Sequence, residues 1–136
     1  EHVIEATIAR SEWLYIEGYK FSEPSGQSAI TEAIGYAKKH GTKIAVSFSD
    51  TFIINFFRDG LESALAHADL IFCNEMEGCA YTGAEDSAAA FEKLQAKIKP
   101  QECGSTNIIK LNATAVFQRQ YKNTGTLLLQ SYAAVM

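Results

Sequence analysis

The sequence predicts an α/β fold, a three-layer Rossmann-like core built on a parallel sheet. Two observations carry the prediction. Three short apolar runs, at residues 13–16, 43–48 and 69–73, have the length and largely non-alternating content of strands covered on both faces. Longer stretches with helical spacing separate them, and strands alternating with helices argue for βαβ units. Right-handed crossovers then bring all three strand ends to one edge of the sheet.

Residues 1–11 read as the end of a helix or a connector, and Trp13-Leu14-Tyr15-Ile16 as a first strand running out at Glu17-Gly18. Pro24-Ser25-Gly26 is expected to break the chain before an amphipathic helix, in which Ile30, Ala33, Ile34 and Ala37 share a face and Gly41 supplies the stop. The second strand ends at Ser49-Asp50. A short helix through 53–58 and another around Leu61, Ala64 and Leu65 lead to the third strand. A helix over 75–81 follows, then one over 87–98 with Ala88, Phe91, Leu94 and Ile98 on one face and Asp86 as its cap. The strand ends thereby collect Glu17, Gly18, Ser49, Asp50, Asn74 and Glu77, at the edge where parallel sheets bind ligands.

Bulk properties narrow the function. A chain of 136 residues, 47% hydrophobic and 21% charged, suits one soluble globular domain. A net charge of −4 leaves no basic footprint for nucleic acid. No apolar run has transmembrane length, so no membrane partner is expected. Cys73, Cys79 and Cys103 have no metal-type spacing, and a reducing, cytoplasmic setting is expected. His2, His40 and His67 are scattered, with surface or structural roles outweighing catalysis. Neither a Gly-x-x-x-x-Gly-Lys-Ser/Thr loop, a dinucleotide glycine fingerprint nor a Gly-x-Ser-x-Gly elbow occurs.

The most informative run is His67-Ala-Asp-Leu-Ile-Phe-Cys-Asn-Glu-Met-Glu77, closing at Tyr81-Thr82-Gly83. It reads as a buried strand ending in an Asn and two acids at a helix start. Asn74 and Glu77 stand three residues apart and so share a helix face. Polar groups there suit phosphate-bound Mg²⁺ and its waters. The plainer reading of the same residues is a helix N-terminus, with Asn as cap and acids complementing the dipole.

The run, with its Ala-Asp-apolar strand before it and a Thr-Gly loop after it, resembles the Asn-x-x-Glu motif of the ribokinase-like (PfkB) carbohydrate and nucleoside kinases. The resemblance covers about residues 1–98. The aromatic first strand and the 52–57 stretch look more like the adenosine-kinase and sugar-kinase branches than ribokinase itself. It implies an incomplete, ribokinase-like fold whose parent transfers the ATP γ-phosphoryl group, with Mg²⁺, to a hydroxyl of a sugar or nucleoside. It further implies that Asn74, Glu77 and Asp50 bind the cofactor, that Glu77 acts on Mg²⁺ through water, and that Gly18 lies beside the substrate pocket. Asn55 and Arg58 are secondary candidates near the phosphates. Surface roles are the plainer reading of both.

The family's Gly-Ala-Gly-Asp stretch, whose glycines open an anion hole and whose Asp serves as base, does not occur in this sequence; Thr82-Gly83-Ala84-Glu85-Asp86 is the nearest text, and it lies too early. After Pro100 the likeness fades. Residues 1–100 therefore read as a partial kinase core and 101–136 as a divergent tail, as a truncation or a reading-frame shift would produce. Residues 108–111 and 115–117 are candidate short strands, the former also as an added strand beside the third. Residues 126–136 fit a helix or a strand and are expected to pack loosely. The chain as given is expected to be inactive, and self-association is possible through an exposed sheet edge. Two rival readings are a non-catalytic α/β remnant or assembly module and an unrelated α/β ligand-binding domain.

Overall fold

The computed structural model of the chain describes residues 3–97, 108–110 and 132–134. The elements run α1 (Glu5–Ala9), β1 (Trp13–Glu17), a 3₁₀ turn (Gly18–Ser22), α2 (Pro24–His40), β2 (Lys43–Ser47), α3 (Thr51–Phe56), α4 (Arg58–Leu65), β3 (Leu70–Phe72), α5 (Glu75–Thr82), α6 (Ser87–Lys97), β4 (Ile108–Lys110) and β5 (Tyr132–Ala134). The strands form one sheet in the order β4-β3-β2-β1-β5, with every neighbouring pair parallel. The three strands expected from the apolar runs are therefore parallel neighbours with helices between them.

Period-two alternation divides the strand residues between two faces. Leu14, Ile16, Ile44, Val46 and Ile71 point to one face, and there every described helix joins them in a single core. Helix α2 contributes Ile30, Ala33, Ile34 and Ala37, the spacing that marked it as amphipathic. Trp13, Ala45 and Leu70, with Tyr15 and Phe72, point to the other face as a separate cluster.

Helix termini follow local chemistry. Pro24 does not break the chain before α2; it opens the helix. Its missing N–H would be unpaired in the first turn anyway, and its φ is preset for helix. Gly41 ends α2 at φ 71°, where its N–H reaches the Ala37 carbonyl. Of the two readings of residues 1–11, the helix is the one the structure has, as α1, and Glu5 ties it to the C-terminus of α2 through Lys39 (2.7 Å) and His40 (2.8 Å). The Asp69 carboxylate is buried and accepts the Ile44 N–H at 2.9 Å, fastening the start of β3 to β2. Asp86 caps α6 as expected, accepting the Ala89 N–H at 2.8 Å.

In the tail, Ile108–Lys110 adds a parallel strand against β3, and Tyr132–Ala134 pairs with β1 at the opposite edge of the sheet. The candidate strand at 115–117 and the rest of 126–136 lie outside the described residues.

Candidate functional site at the carboxyl edge of the sheet

The carboxyl ends of β1, β2 and β3 converge as the topology requires. Pairing puts Glu17 beside Ser47 and Ser47 beside Phe72, and the Phe48 N–H continues the ladder by donating to the Phe72 carbonyl at 3.0 Å. From this edge the chain leaves into the 3₁₀ turn, α3 and α5.

Asn74 and Glu77 are held together at the start of α5. The Asn74 side-chain oxygen accepts the Glu77 N–H at 2.8 Å, and Glu77 Oε2 accepts the Asn74 N–H at 3.0 Å, a reciprocal capping box. The Asn74 amide also donates to Glu77 Oε1 at 3.0 Å. Each carboxylate oxygen thus has one donor from Asn74, in a side chain only 7% exposed. The capping and ligand-binding readings are compatible, since the cap fixes the rotamer in which the carboxylate is presented.

Asp50 caps α3, its Oδ1 accepting the Phe52 N–H at 2.8 Å. The residue before it carries a feature the sequence reading missed. Ser49 sits at φ 64°, and the Asp50 N–H reaches back to the Phe48 carbonyl at 2.7 Å across it. This tight three-residue turn is strained for a residue with a side chain. Two hydroxyls support it: Ser49 Oγ accepts the Gly18 N–H at 2.8 Å, and Ser47 Oγ accepts the Ser49 N–H at 3.2 Å. Neighbouring strand ends were foreseeable from the topology, but hydroxyl acceptors within them were not, because isolated serines carry no spacing signal.

Gly18 owes its identity to close approach rather than to a left-handed turn. A Cβ there would lie 2.4 Å from the Phe48 carbonyl oxygen and 2.8 Å from that of Ser47. Its φ is not positive, so no left-handed conformation calls for glycine there. The space a side chain would need is filled by the chain's own backbone.

Arg58 is turned away from the phosphate role considered for it. Its guanidinium donates to the Tyr81 carbonyl at 2.7 Å, lies 4.6 Å from the centre of the Tyr81 ring and contacts Glu62 at 3.4 Å, clasping α4 to α5. Asn55 is exposed and lines a shallow depression with Gln27 and residues 56–60. Tyr19, Phe52, Phe56 and Met76 leave large apolar groups exposed around this edge. Burial pushes the Cys73 thiol up to about 12, and the charge of Glu77 adds to the effect, so this cysteine is a core residue rather than a nucleophile.

The donor set tests the implied Mg²⁺. Among the described residues no group of three or more His, Cys, Asp or Glu side chains converges to cage a metal. A single oriented carboxylate suits Mg²⁺ that keeps its waters and takes its remaining ligands from nucleotide phosphates. The residues fit that mode and not a protein-only cage. No helix among the described residues is long and apolar enough to cross a membrane.

Comparison with known proteins bears on the family and the fold. The profile of the pfkB family carbohydrate kinase matches residues 1–131, past residue 98, where the resemblance read from the sequence ends. No curated protein matches the sequence significantly. Adenosine kinase from Sinorhizobium meliloti superposes with a TM-score of 0.66 at 31% identity, over 71% of this chain and 30% of that one. A probable sugar kinase from Rhizobium etli CFN 42 gives 0.66 at 24% identity, over 71% and 30%. Adenosine kinase from Trypanosoma brucei brucei gives 0.69 at 14%, over 79% and 33%. The last two, below a quarter identity, show the shared fold alone. This chain spans about a third of the length of the solved kinases it matches. The chain belongs to the pfkB family of carbohydrate kinases.

Proposed function

We propose that the chain is part of an ATP-dependent kinase that transfers the γ-phosphoryl group to a hydroxyl of a sugar or nucleoside. In this reading its carboxyl edge contributes the phosphate-facing side of the nucleotide site. The observation that carries the reading is the Asn74–Glu77 pair: a nearly buried carboxylate, oriented by two Asn74 donors, at the carboxyl end of a parallel strand. Mg²⁺, when bound, neutralises charge on the transferring phosphates. Glu77 orders its water shell, Asn74 fixes Glu77, and Asp50 with its Ser49 turn shapes the neighbouring wall. Gly18 keeps the first strand end close to the second beside the acceptor. The likeness to the Sinorhizobium meliloti adenosine kinase supports a nucleoside acceptor. A cytoplasmic setting fits this chemistry, and the exposed apolar groups around the edge favour self-association.

The chain as given binds nucleotide without turning it over, because its sequence holds no Gly-Ala-Gly-Asp stretch to supply base and anion hole. That same absence supports a second reading, a non-catalytic α/β module. Calorimetric titration with ATP separates the two. The kinase reading predicts binding that requires Mg²⁺ and weakens on the order of 10-fold in Glu77→Gln, the usual effect of losing an outer-shell metal partner. Absence of binding, or binding indifferent to Mg²⁺, contradicts it. ADP release above background with ribose, fructose or adenosine would contradict the inactivity.

A further inference from the structure

Ser49 is the one residue other than glycine with a positive φ among the described residues. Where the chain enters the left-handed region elsewhere it uses glycine: Gly41 and Gly83 stand at φ 71° and 72° at the ends of α2 and α5. Glycine adopts that conformation without steric cost, whereas a side chain there crowds the backbone. A strained residue persists only where its surroundings hold it, and such residues cluster at ligand-binding sites. What serine adds over glycine at position 49 is a hydroxyl, so the contacts of that hydroxyl show what the strained residue contributes.

The hydroxyl joins two strand ends. Its Oγ accepts the Gly18 N–H at 2.8 Å, across 31 positions of sequence. Gly18 is buried, and its N–H needs an acceptor at the point where the pairing of β1 with β2 stops, one residue after Glu17 meets Ser47. The Ser49 N–H in turn donates to Ser47 Oγ at 3.2 Å, and the Asp50 N–H to the Phe48 carbonyl at 2.7 Å. On its other side the turn starts from Phe48, a fully buried residue. The Phe48 N–H reaches the Phe72 carbonyl of β3 at 3.0 Å, and its ring lies 5.1 Å from that of Tyr81 in α5. Ser49 therefore stands between Gly18 and, through Phe48, the helix that presents Asn74 and Glu77. The next residue, Asp50, caps α3.

We propose that Ser49 is a positioning residue of the nucleotide site. Its bond to Gly18 fixes the end of β1 against the Asp50 and Glu77 side of the edge before ligand arrives. The inference rests on the Mg²⁺–ATP reading above and gives Ser49 no contact with phosphate. Without the hydroxyl, the ligand itself must bring the strand ends into place. Apparent affinity then falls by up to the worth of one neutral hydrogen bond, about 2- to 10-fold. Relief of backbone strain and tight binding thus pull in opposite directions at this position.

Two substitutions in the full chain separate positioning from packing. Ser49→Gly removes the strain together with the hydroxyl, and the two changes offset each other in stability. Ser49→Thr keeps a hydroxyl but adds a β-branch, which the left-handed region disfavours. Each variant is unfolded in urea and titrated calorimetrically with Mg²⁺–ATP. Ser49→Gly is expected to unfold close to the wild-type midpoint yet bind about 2- to 10-fold more weakly. Ser49→Thr is expected to unfold at a lower midpoint and bind as the wild type does. Affinity that follows stability in both variants is the pattern of a purely structural serine and overturns the proposal. Ser49→Gly binding as tightly as wild type also overturns it, and this variant decides the matter alone if Ser49→Thr does not fold. Wild-type binding in that case leaves the kinase reading standing. A wild-type chain that does not bind Mg²⁺–ATP overturns the kinase reading and this inference with it.

Discussion

Replacing Gly18 with alanine tests how tightly the strand ends are joined. The added Cβ would meet the Phe48 carbonyl oxygen at 2.4 Å, the Phe48 carbonyl carbon at 2.8 Å and the Ser47 oxygen at 2.8 Å. All three are backbone atoms, so no side-chain rotation relieves the contact. Clearing it needs a parting of at least about 0.6 Å, and overpacking of that kind costs about 1–3 kcal/mol. The same movement stretches the Gly18 N–H bond to Ser49 Oγ, worth about 0.5–1.5 kcal/mol. Restricting the unfolded chain returns about 0.4–1 kcal/mol. The net expectation is destabilisation by about 2 kcal/mol, within a span of about 0.5–4 kcal/mol on those figures.

Urea unfolding followed by Trp13 emission measures this directly. Gly35→Ala is the matched control, since Gly35 lies inside α2 with nothing within 4 Å of an added Cβ. It should stabilise the protein by about 0.5–1 kcal/mol. The same chemical change is thus expected to act with opposite sign at two positions. Gly18→Ala as stable as wild type, or more stable, would refute the close-approach account.

Two other perturbations have defined outcomes. Hydrogen bonds from Lys39 and then His40 hold the Glu5 carboxyl below its ordinary 4.5, and the Glu5 hydrogen bond raises Lys39 above its ordinary 10.5. A depressed carboxyl stabilises the fold above its unfolded value and a raised lysine does so below its own. The α1–α2 tie should therefore hold between about 4.5 and 10.5 and weaken outside that window. Amide exchange at Ile8 across pH checks this, and Glu5→Gln should remove the acid limb. Cys73, its thiol pushed up to about 12 by burial, should resist iodoacetamide at pH 8 until the protein unfolds, while the half-buried Cys79 reacts first; labelling of Cys73 at the rate of Cys79 would contradict the core assignment.

Much of the architecture was legible because it rests on periodicity. The apolar runs at 13–16, 43–48 and 69–73 became the three central strands, and the Ile30–Ala37 spacing became the buried face of α2. Caps were legible too: Asp86 and Asn74 are favoured N-cap types in front of helical sequence, and both cap. The Pro24 expectation failed because Pro-Ser-Gly is a turn signal in one setting and a helix start in another; here Pro24 sits in the first turn of α2 and Gly26 lies close against the Lys20 carbonyl. The site was legible only in outline. Asn74 and Glu77 stood out by spacing, whereas the Ser49 turn and the Arg58 clasp depend on partners 23 to 31 residues away. In the tail, the added strand at 108–110 followed from the open edge of β3. The pairing of 132–134 with β1 did not, since it joins residues more than a hundred positions apart.

The central claim is that the carboxyl edge carrying Asn74 and Glu77 receives Mg²⁺-bound ATP. Titration of the ¹⁵N-labelled chain with ATP, followed by amide shifts with and without Mg²⁺, tests it residue by residue. The account predicts Mg²⁺-dependent shifts concentrated at Gly18, Ser49, Asp50, Asn74 and Glu77, and reduced in Glu77→Gln. Shifts absent from this edge, or confined to the groove between α2 and α4 around Lys38 and His67, would contradict it.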